Sequence, residues 1–342
     1  MSPGNVYSAE PAFPVLAYSL LSQTAPEPAD QGPQSESESA PSQDEAAASG
    51  AWNLKHDIDR VLSSRHTIFR CGKVIGFSRP REKGDDDDTQ CVTRLPLHLL
   101  TTHLHRNPSK PAISSPNAFL IHPANFEPFA PKTLLASLLS PARSPLLSRD
   151  EAIRRLDSVQ LLPVFDFRSV VQAINEVSDA LHTIQKERDQ SDQMTLAGVA
   201  DHPVLLIIAG LDALAEGVVR ASNPGRGAAV LAATLRTLTQ LSRMHASFLS
   251  VMLVNTTGLG ALSLGPGSAD HDQRETRQTR DDSSVHSAFR QSGSSLFPSL
   301  MLKTLDQGID THLLLSTVRN TPVVEIVKDR EGDGVGKWCP WD

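Results

Sequence analysis

The chain has 342 residues and a net charge of −7, from 32 Lys plus Arg against 39 Asp plus Glu, which excludes a global electrostatic drive toward nucleic acid and leaves only local patches for such contact. Cys71, Cys91 and Cys339 have no paired spacing, which excludes a disulfide framework or a zinc site and suits a reducing compartment. No apolar run reaches the roughly 18 residues that span a bilayer, and no basic n-region precedes an apolar h-region, so a soluble intracellular protein is expected.

Residues 1–50 add little to a core. Thr24–Gly50 is dominated by Ser, Glu, Asp, Gln, Pro and Ala, cannot offset its ordering entropy, and reads as a disordered tail. Ahead of it, Ala12–Leu21 (AFPVLAYSLL) is an apolar motif. It docks either on its own domain or, on a polar tether, on a partner.

The remainder, residues 51–342, reads as one α/β domain carrying an insertion. Trp52–Leu62 is helical in pattern, with Leu54, Ile58, Val61 and Leu62 forming a stripe. Gly72–Ser78 reads as a strand entering the loop Arg79–Thr89, which contains Asp85–Asp88. Leu95–His105 has helical periodicity through Leu97, Leu100 and Leu104, with Pro96 limiting where it starts. Ala118–Ile121 is a short strand, Thr133–Leu139 and Arg149–Leu156 are short helices, and Leu161–Asp166 is another strand. Ser169–Ile184 is an amphipathic helix, and Gln185–Ser191 a charged link.

The most ordered block follows. Val204–Ile208 is a continuous apolar run suited to a strand buried on both faces of a parallel sheet. Gly225–His245 carries Leu231, Leu235, Leu238 and Leu241 on one helical face, and Phe248–Val254 is a second buried strand. Together they form a βαβ unit, and the carboxyl ends of such strands are where open α/β sheets bind ligands. Periodicity then lapses across an insertion at 263–295, whose loop Gly265–Ser295 is rich in Gly, Ser, Asp, Arg and Gln. Leu296–Leu305 reads as a helix. Thr311–Thr317 and Val323–Val327 read as a hairpin around Asn320-Thr321-Pro322, and Trp338 begins a last strand.

In this order the segments resemble the core of RecA-type recombinases, specifically the eukaryotic (fungal-type) recombinase paralogues of homologous-recombination repair. Val204–Ile208 with Leu211-Asp212-Ala213-Leu214 resembles the Walker B strand and its turn, and Leu235–Arg243 the helix before the next strand. Val251–Asn255 is similar to the strand ending in Asn at the nucleotide pocket, Gly72–Ser78 to the strand leading into the phosphate loop, and Val324–Arg330 through Gly336–Trp338 to the closing strands. The resemblance implies a RecA-like P-loop NTPase core, with a mostly parallel central sheet flanked by helices and C-terminal antiparallel strands. It places a nucleotide near Gly76, Lys83, Gly84, Asp212 and Asn255.

The groups that do chemistry depart from the family pattern. A P-loop needs G-x-x-x-x-G-K-[ST], so that backbone N–H groups and a Lys surround the phosphates while a hydroxyl holds Mg²⁺. Here Ser78 is followed by Arg79-Pro80-Arg81-Glu82-Lys83-Gly84 and four aspartates. At an effective dielectric near 20, each close carboxylate–phosphate pair costs a few kcal/mol. The Walker A and Walker B motifs are thus both degenerate. The loop reads as a solvated acidic loop, with Mg²⁺ held by Asp85–Asp88 as the alternative. At the Walker B carboxylate position stands Ala209, and Asp212 suits a cap on the next segment. After Phe119-Leu120-Ile121 comes His122-Pro123-Ala124-Asn125, where only His122 could act as a base and a structural role suits it better. After Asn255 stands Thr256, in place of the γ-phosphate-sensing Gln. Losing the Lys, the metal carboxylate and the base together removes the positioning and electrostatics that phosphoryl transfer needs.

The resemblance therefore implies an accessory paralogue in the nucleus that assembles with other recombinase paralogues, or with the recombinase itself, to assist its filament. It has no catalytic residue, no metal site, no membrane contact and no cofactor, ATP and Mg²⁺ entering only if a partner completes the pocket. Two alternatives stand beside it: a DNA-dependent ATPase with an unorthodox pocket, and a scaffold outside repair. The insertion takes the place of the family's second DNA loop. Its Arg274, Arg277, Arg280 and Arg290 are candidate contacts to single-stranded DNA, but Asp270, Asp272, Glu275, Asp281 and Asp282 bring its balance to −1.

Overall fold

A computed structural model describes residues 53–59, 67–81, 89–106, 116–140, 146–194, 203–260, 285–289 and 296–341. The tail at 1–50 with its motif at 12–21 lies outside them. The described residues all belong to the unit Ser49–Asp342. In chain order the elements are α1 (Leu54–Asp59), β1 (Val74–Ser78), α2 (Thr89–Arg106), β2 (Ala118–Pro123), α3 (Pro131–Leu138), α4 (Arg149–Leu156), β3 (Val159–Val164), α5 (Phe167–Met194), β4 (Val204–Ala209), α6 (Leu211–Ala221), α7 (Pro224–Met244), β5 (Leu249–Val254), α8 (Leu300–Gln307), β6 (Thr311–Val318), β7 (Thr321–Asp329) and β8 (Trp338–Pro340).

The strands form one eight-stranded sheet in the order β3-β2-β4-β5-β1-β6-β7-β8. The first six run parallel; β7 is antiparallel to both β6 and β8. This is the mostly parallel sheet with C-terminal antiparallel strands that the resemblance implies. The apolar runs β4 and β5 lie side by side, from Val204 opposite Leu249 to Ala209 opposite Val254, and every residue of both is buried.

Alternation along the strands feeds two cores. Val204, Leu206 and Ile208 join Val251 and Leu253 against α5, α6, α7 and α8; Leu205, Ile207, Met252 and Val254 face α1 to α4. The leucine stripe of α7 (Leu231, Leu235, Leu238, Leu241) is buried in the first core. Asn223 caps α7 through Arg226 N–H at 2.8 Å, and Pro224 opens it where a missing N–H costs nothing.

Four expectations need correction. The helix α2 does not wait for Pro96 but starts at Thr89 and runs through it. Burying Val92, Leu95, Leu99, Leu100 and Leu104 at roughly 1.5–3 kcal/mol each outweighs a cost of about 3 kcal/mol for an interior proline. The charged stretch after Ile184 is no link, because α5 continues to Met194. Its residues are good helix formers, Gln185 reaches Asp189 one turn on at 2.8 Å, and Arg188 lies over the Phe248 ring at 4.2 Å. Leu211–Leu214 is not a turn but the start of α6, and the turn is compressed into Gly210, whose φ of 69° is left-handed. The β6–β7 hairpin turns on Arg319 and Asn320, both at positive φ as a two-residue primed turn requires, rather than on Asn320-Thr321-Pro322.

At the amino end of β1, Asp310 (1% exposed) accepts the Val74 N–H at 2.9 Å and pairs with Arg243 at 3.0 Å and Arg330 at 3.3 Å. The carboxyl end is built differently.

Candidate functional site

The chain leaving β1 passes to α2 on one face of the sheet. The chain leaving β5 passes toward α8 on the other. The crevice between two such exits is the topological switch point, where open sheets take their ligands. The residues around it are Ser78, Arg79, Pro80 and Arg81 after β1, Ala209 to Asp212 after β4, and Asn255 to Gly260 after β5.

The two exits are joined rather than parted. Leu259 N–H donates to the Arg79 carbonyl at 2.7 Å, and Arg81 N–H donates to the Leu259 carbonyl at 2.8 Å. Pro80 and Leu259 thus form an isolated parallel bridge beyond the end of the β1–β5 ladder. A phosphate cradle needs free N–H groups as the chain curls out of the strand. Here Pro80 has no N–H and that of Arg81 is already used. Gly258, at φ 72°, has no room for a side chain, since an added Cβ would lie 3.1 Å from Arg81 Cα.

Gly76 sits inside β1 rather than beyond it. A Cβ there would stand 2.6 Å from Ile309 Cδ1 and 3.2 Å from His312 Cδ2, so the glycine makes room for α8's exit and for a buried imidazole. Lys83, Gly84 and Asp85–Asp88 lie outside the described residues, as do Arg274, Arg277, Arg280 and Arg290.

Ala209 ends β4 at 1% exposure. Three residues on, Asp212 (1% exposed) turns back from the first turn of α6 onto the exit of β5. Its Oδ2 accepts both the N–H and the Oγ1–H of Thr257 at 2.7 Å, and its Oδ1 accepts from Thr256 Oγ1 at 3.3 Å. The expected cap is therefore not on Asp212's own helix; the carboxylate fastens the 256–257 loop instead. Three of the carboxylate's roughly four acceptor sites are used in this way. Among the described residues, no three His, Cys, Asp or Glu side chains gather as a metal site.

Asn255 begins a buried chain that sequence reasoning missed. Its Nδ2 donates to Ser78 Oγ at 2.7 Å, Ser78 Oγ stands 2.7 Å from His312 Nε2, and His312 Nδ1 stands 3.4 Å from Asp306 Oδ1. Lys328 Nζ closes the far end on Asp306 Oδ2 at 2.9 Å. Burial would raise the Asp306 carboxyl, but its bonds to His312 and Lys328 hold it below its ordinary value. An ionised Asp306 fixes the direction throughout: Nδ1 carries the imidazole proton, Nε2 accepts from the Ser78 hydroxyl, and Ser78 accepts from Asn255. Burial keeps His312 neutral, pushing it below 6.5 against the pull of Asp306. Asn255 Oδ1, buried, has no hydrogen-bond partner among the described residues.

The order Ser–His–Asp suggests an activated nucleophile, but Ser78 and His312 are both 0% exposed and no substrate reaches them. The chain acts as a strut tying β1, β5, β6, β7 and α8 together. Its members are 177 and 234 residues apart in sequence, so no local spacing could have revealed it.

His122, at the end of β2, is 6% exposed and its Nδ1 donates to the Pro123 carbonyl at 2.8 Å. Burial lowers its pKa despite that bond, so it stands neutral and committed to the backbone. No described helix is long and apolar enough to cross a membrane.

No family model matches the chain, and no curated protein matches it. Among solved structures it is similar to the crystal structure of the RadB recombinase, with a TM-score of 0.44 and 14% identity over 79% of this chain and 86% of that one.

Proposed function

We propose that the chain is an accessory protein of homologous recombination, a RecA-shaped subunit that assembles with other recombinase paralogues or with the recombinase and does not hydrolyse ATP. The observation that carries the second half is the Pro80–Leu259 bridge, because it spends the strand-exit backbone where phosphates would be held. Asp212's engagement with Thr256 and Thr257, and Ala209 at the end of β4, bear the same way. The first half is supported by the order of the motifs and by the sheet that they build. On this reading the protein works in the nucleus, and single-stranded DNA is touched through Arg274, Arg277, Arg280 and Arg290 with a partner's help.

Co-purification of the tagged chain, followed by an ATP turnover assay, tests the proposal. The expected result is stoichiometric recovery of RecA-fold subunits and turnover at the background rate. Saturable ATP binding with DNA-stimulated hydrolysis by the chain alone would establish an unorthodox ATPase instead. Recovery of no recombination protein, with normal crosslink resistance in a deletion strain, would establish a scaffold outside repair.

A further inference from the structure

Residues 285–289 lie between the two parts of the insertion that fall outside the described residues. They cross the face of the sheet that carries Glu325, opposite Leu314 of β6 and Trp338 of β8 in register. Glu325 is 1% exposed. A carboxylate buried in mid-sheet is strongly destabilising unless its oxygens are satisfied. Both are satisfied by this segment: Ser287 Oγ donates to Oε2 at 2.6 Å, and Ala288 N–H donates to Oε1 at 2.7 Å. Ser287 Oγ also accepts the Phe289 N–H at 3.2 Å, and the Phe289 ring stands edge-on to Trp338 at 5.2 Å. Beneath lies a cavity of about 80 Å³ lined by Pro80, Ser287, Phe289, Leu314, Ser316 and Val318, at the carboxyl end of β6.

We propose that Ser287-Ala288-Phe289 is a releasable latch and that Glu325 with Trp338 is its socket. Seated, the latch pins the insertion to the carboxyl end of the sheet and walls the cavity beside Pro80. Released, it opens the cavity. An apolar side chain at 325 would satisfy the sheet without help, whereas a glutamate makes full satisfaction conditional on the latch. The latch is also easily lifted. Its ring contact is between partly exposed groups, 36% for Phe289 and 42% for Trp338. Water regained by the freed carboxylate offsets part of the two bonds lost. The inference stands on the geometry at 285–289 and does not depend on the recombination reading.

Hydrogen exchange on the full chain tests it. In the wild type the Ala288 and Phe289 amides should exchange at least a hundredfold faster than those of Leu313–Leu315, as expected of local opening. Glu325→Leu should speed the latch amides at least a further tenfold, and tryptic cleavage after Arg290 in step, while Leu313–Leu315 keep their protection. Ser287→Ala, which leaves the core untouched, should give a smaller rise of the same kind. Latch amides as slow as the core in the wild type would overturn the proposal, because the segment would then open only with the fold. So would unchanged exchange in Ser287→Ala.

Discussion

Replacing Asp212 with alanine reports on what closes the carboxyl end of the sheet. The carboxylate is 1% exposed and receives two contacts of 2.7 Å from Thr257 and one of 3.3 Å from Thr256. Hydrogen bonds to a charged group are worth roughly 1.5–3 kcal/mol each, so the two short ones give about 3–6 and the long one adds little. A negative charge in the first turn of α6 adds about 0.5 kcal/mol. Relief of the buried charge's desolvation takes some of this back, leaving about 3 kcal/mol lost in Asp212→Ala and about 1–2 in Asp212→Asn, which keeps an acceptor. Urea unfolding is the assay. At a slope of roughly 3 kcal/mol per M, the alanine variant should lose about 1 M in midpoint without a change in slope. A double-mutant cycle with Thr257→Val should return at least about 1 kcal/mol of coupling. An alanine midpoint within about 0.2 M of wild type, or no coupling, would refute the loop-fastening role. If magnesium stabilised the wild type but not Asp212→Asn, the carboxylate would instead be holding a metal.

Three further outcomes are expected. Gly76→Ala puts a Cβ 2.6 Å from Ile309 Cδ1 and should cost about 1–3 kcal/mol; adding Ile309→Val removes that atom, so the double variant should unfold at higher urea than the sum of the single losses predicts. Ala209→Asp, restoring a carboxylate at the end of β4, should lower stability by several kcal/mol, since the site is 1% exposed and its surroundings are apolar, and should leave ATP turnover at background. Burial lowers His122, His312 and His245, and for His245 the nearby His182 adds to the effect. The native fold therefore refuses protons that the unfolded chain takes up, so the stability from these groups is complete above about pH 6.5 and falls as pH drops toward their folded values. Chemical denaturation between pH 7.5 and 5 should show this decline, shallower in His245→Phe; a flat profile would show that these histidines take up protons as readily in the folded protein as in the unfolded chain.

The parts of the fold legible in the sequence are those whose signal is local. The strands β4 and β5 are unbroken apolar runs, and α7 announces itself by its leucine stripe. Where burial elsewhere overrides a local rule, the reading slips. Pro96 looked like a boundary because the sequence does not reveal how deeply Val92 and Leu95 are buried against the sheet. The continuation of α5 past Ile184 depends partly on Phe248, sixty residues away, receiving Arg188. At the site, Ala209, Thr256 and the missing Gly-Lys-Ser/Thr were legible as absences. The groups that took over the space were not, because Asn255, Ser78, His312 and Asp306 meet only when β5, β1, β6 and α8 are assembled. Glu325 likewise reads as an ordinary polar residue of a hairpin until Ser287 and Ala288 are seen to complete it.

The bridge between Pro80 and Leu259 also bears on how this chain could change over time. Where catalytic side chains are merely missing, single substitutions can bring activity back one residue at a time. Here the main chain itself is engaged with Leu259, so a lysine or an aspartate introduced by mutation would meet a strand exit whose Arg81 N–H is already spent. Holding a phosphate at Arg79–Arg81 would require the two contacts to Leu259 to be broken first. The barrier to phosphate at this edge is therefore set by the backbone rather than by any one side chain.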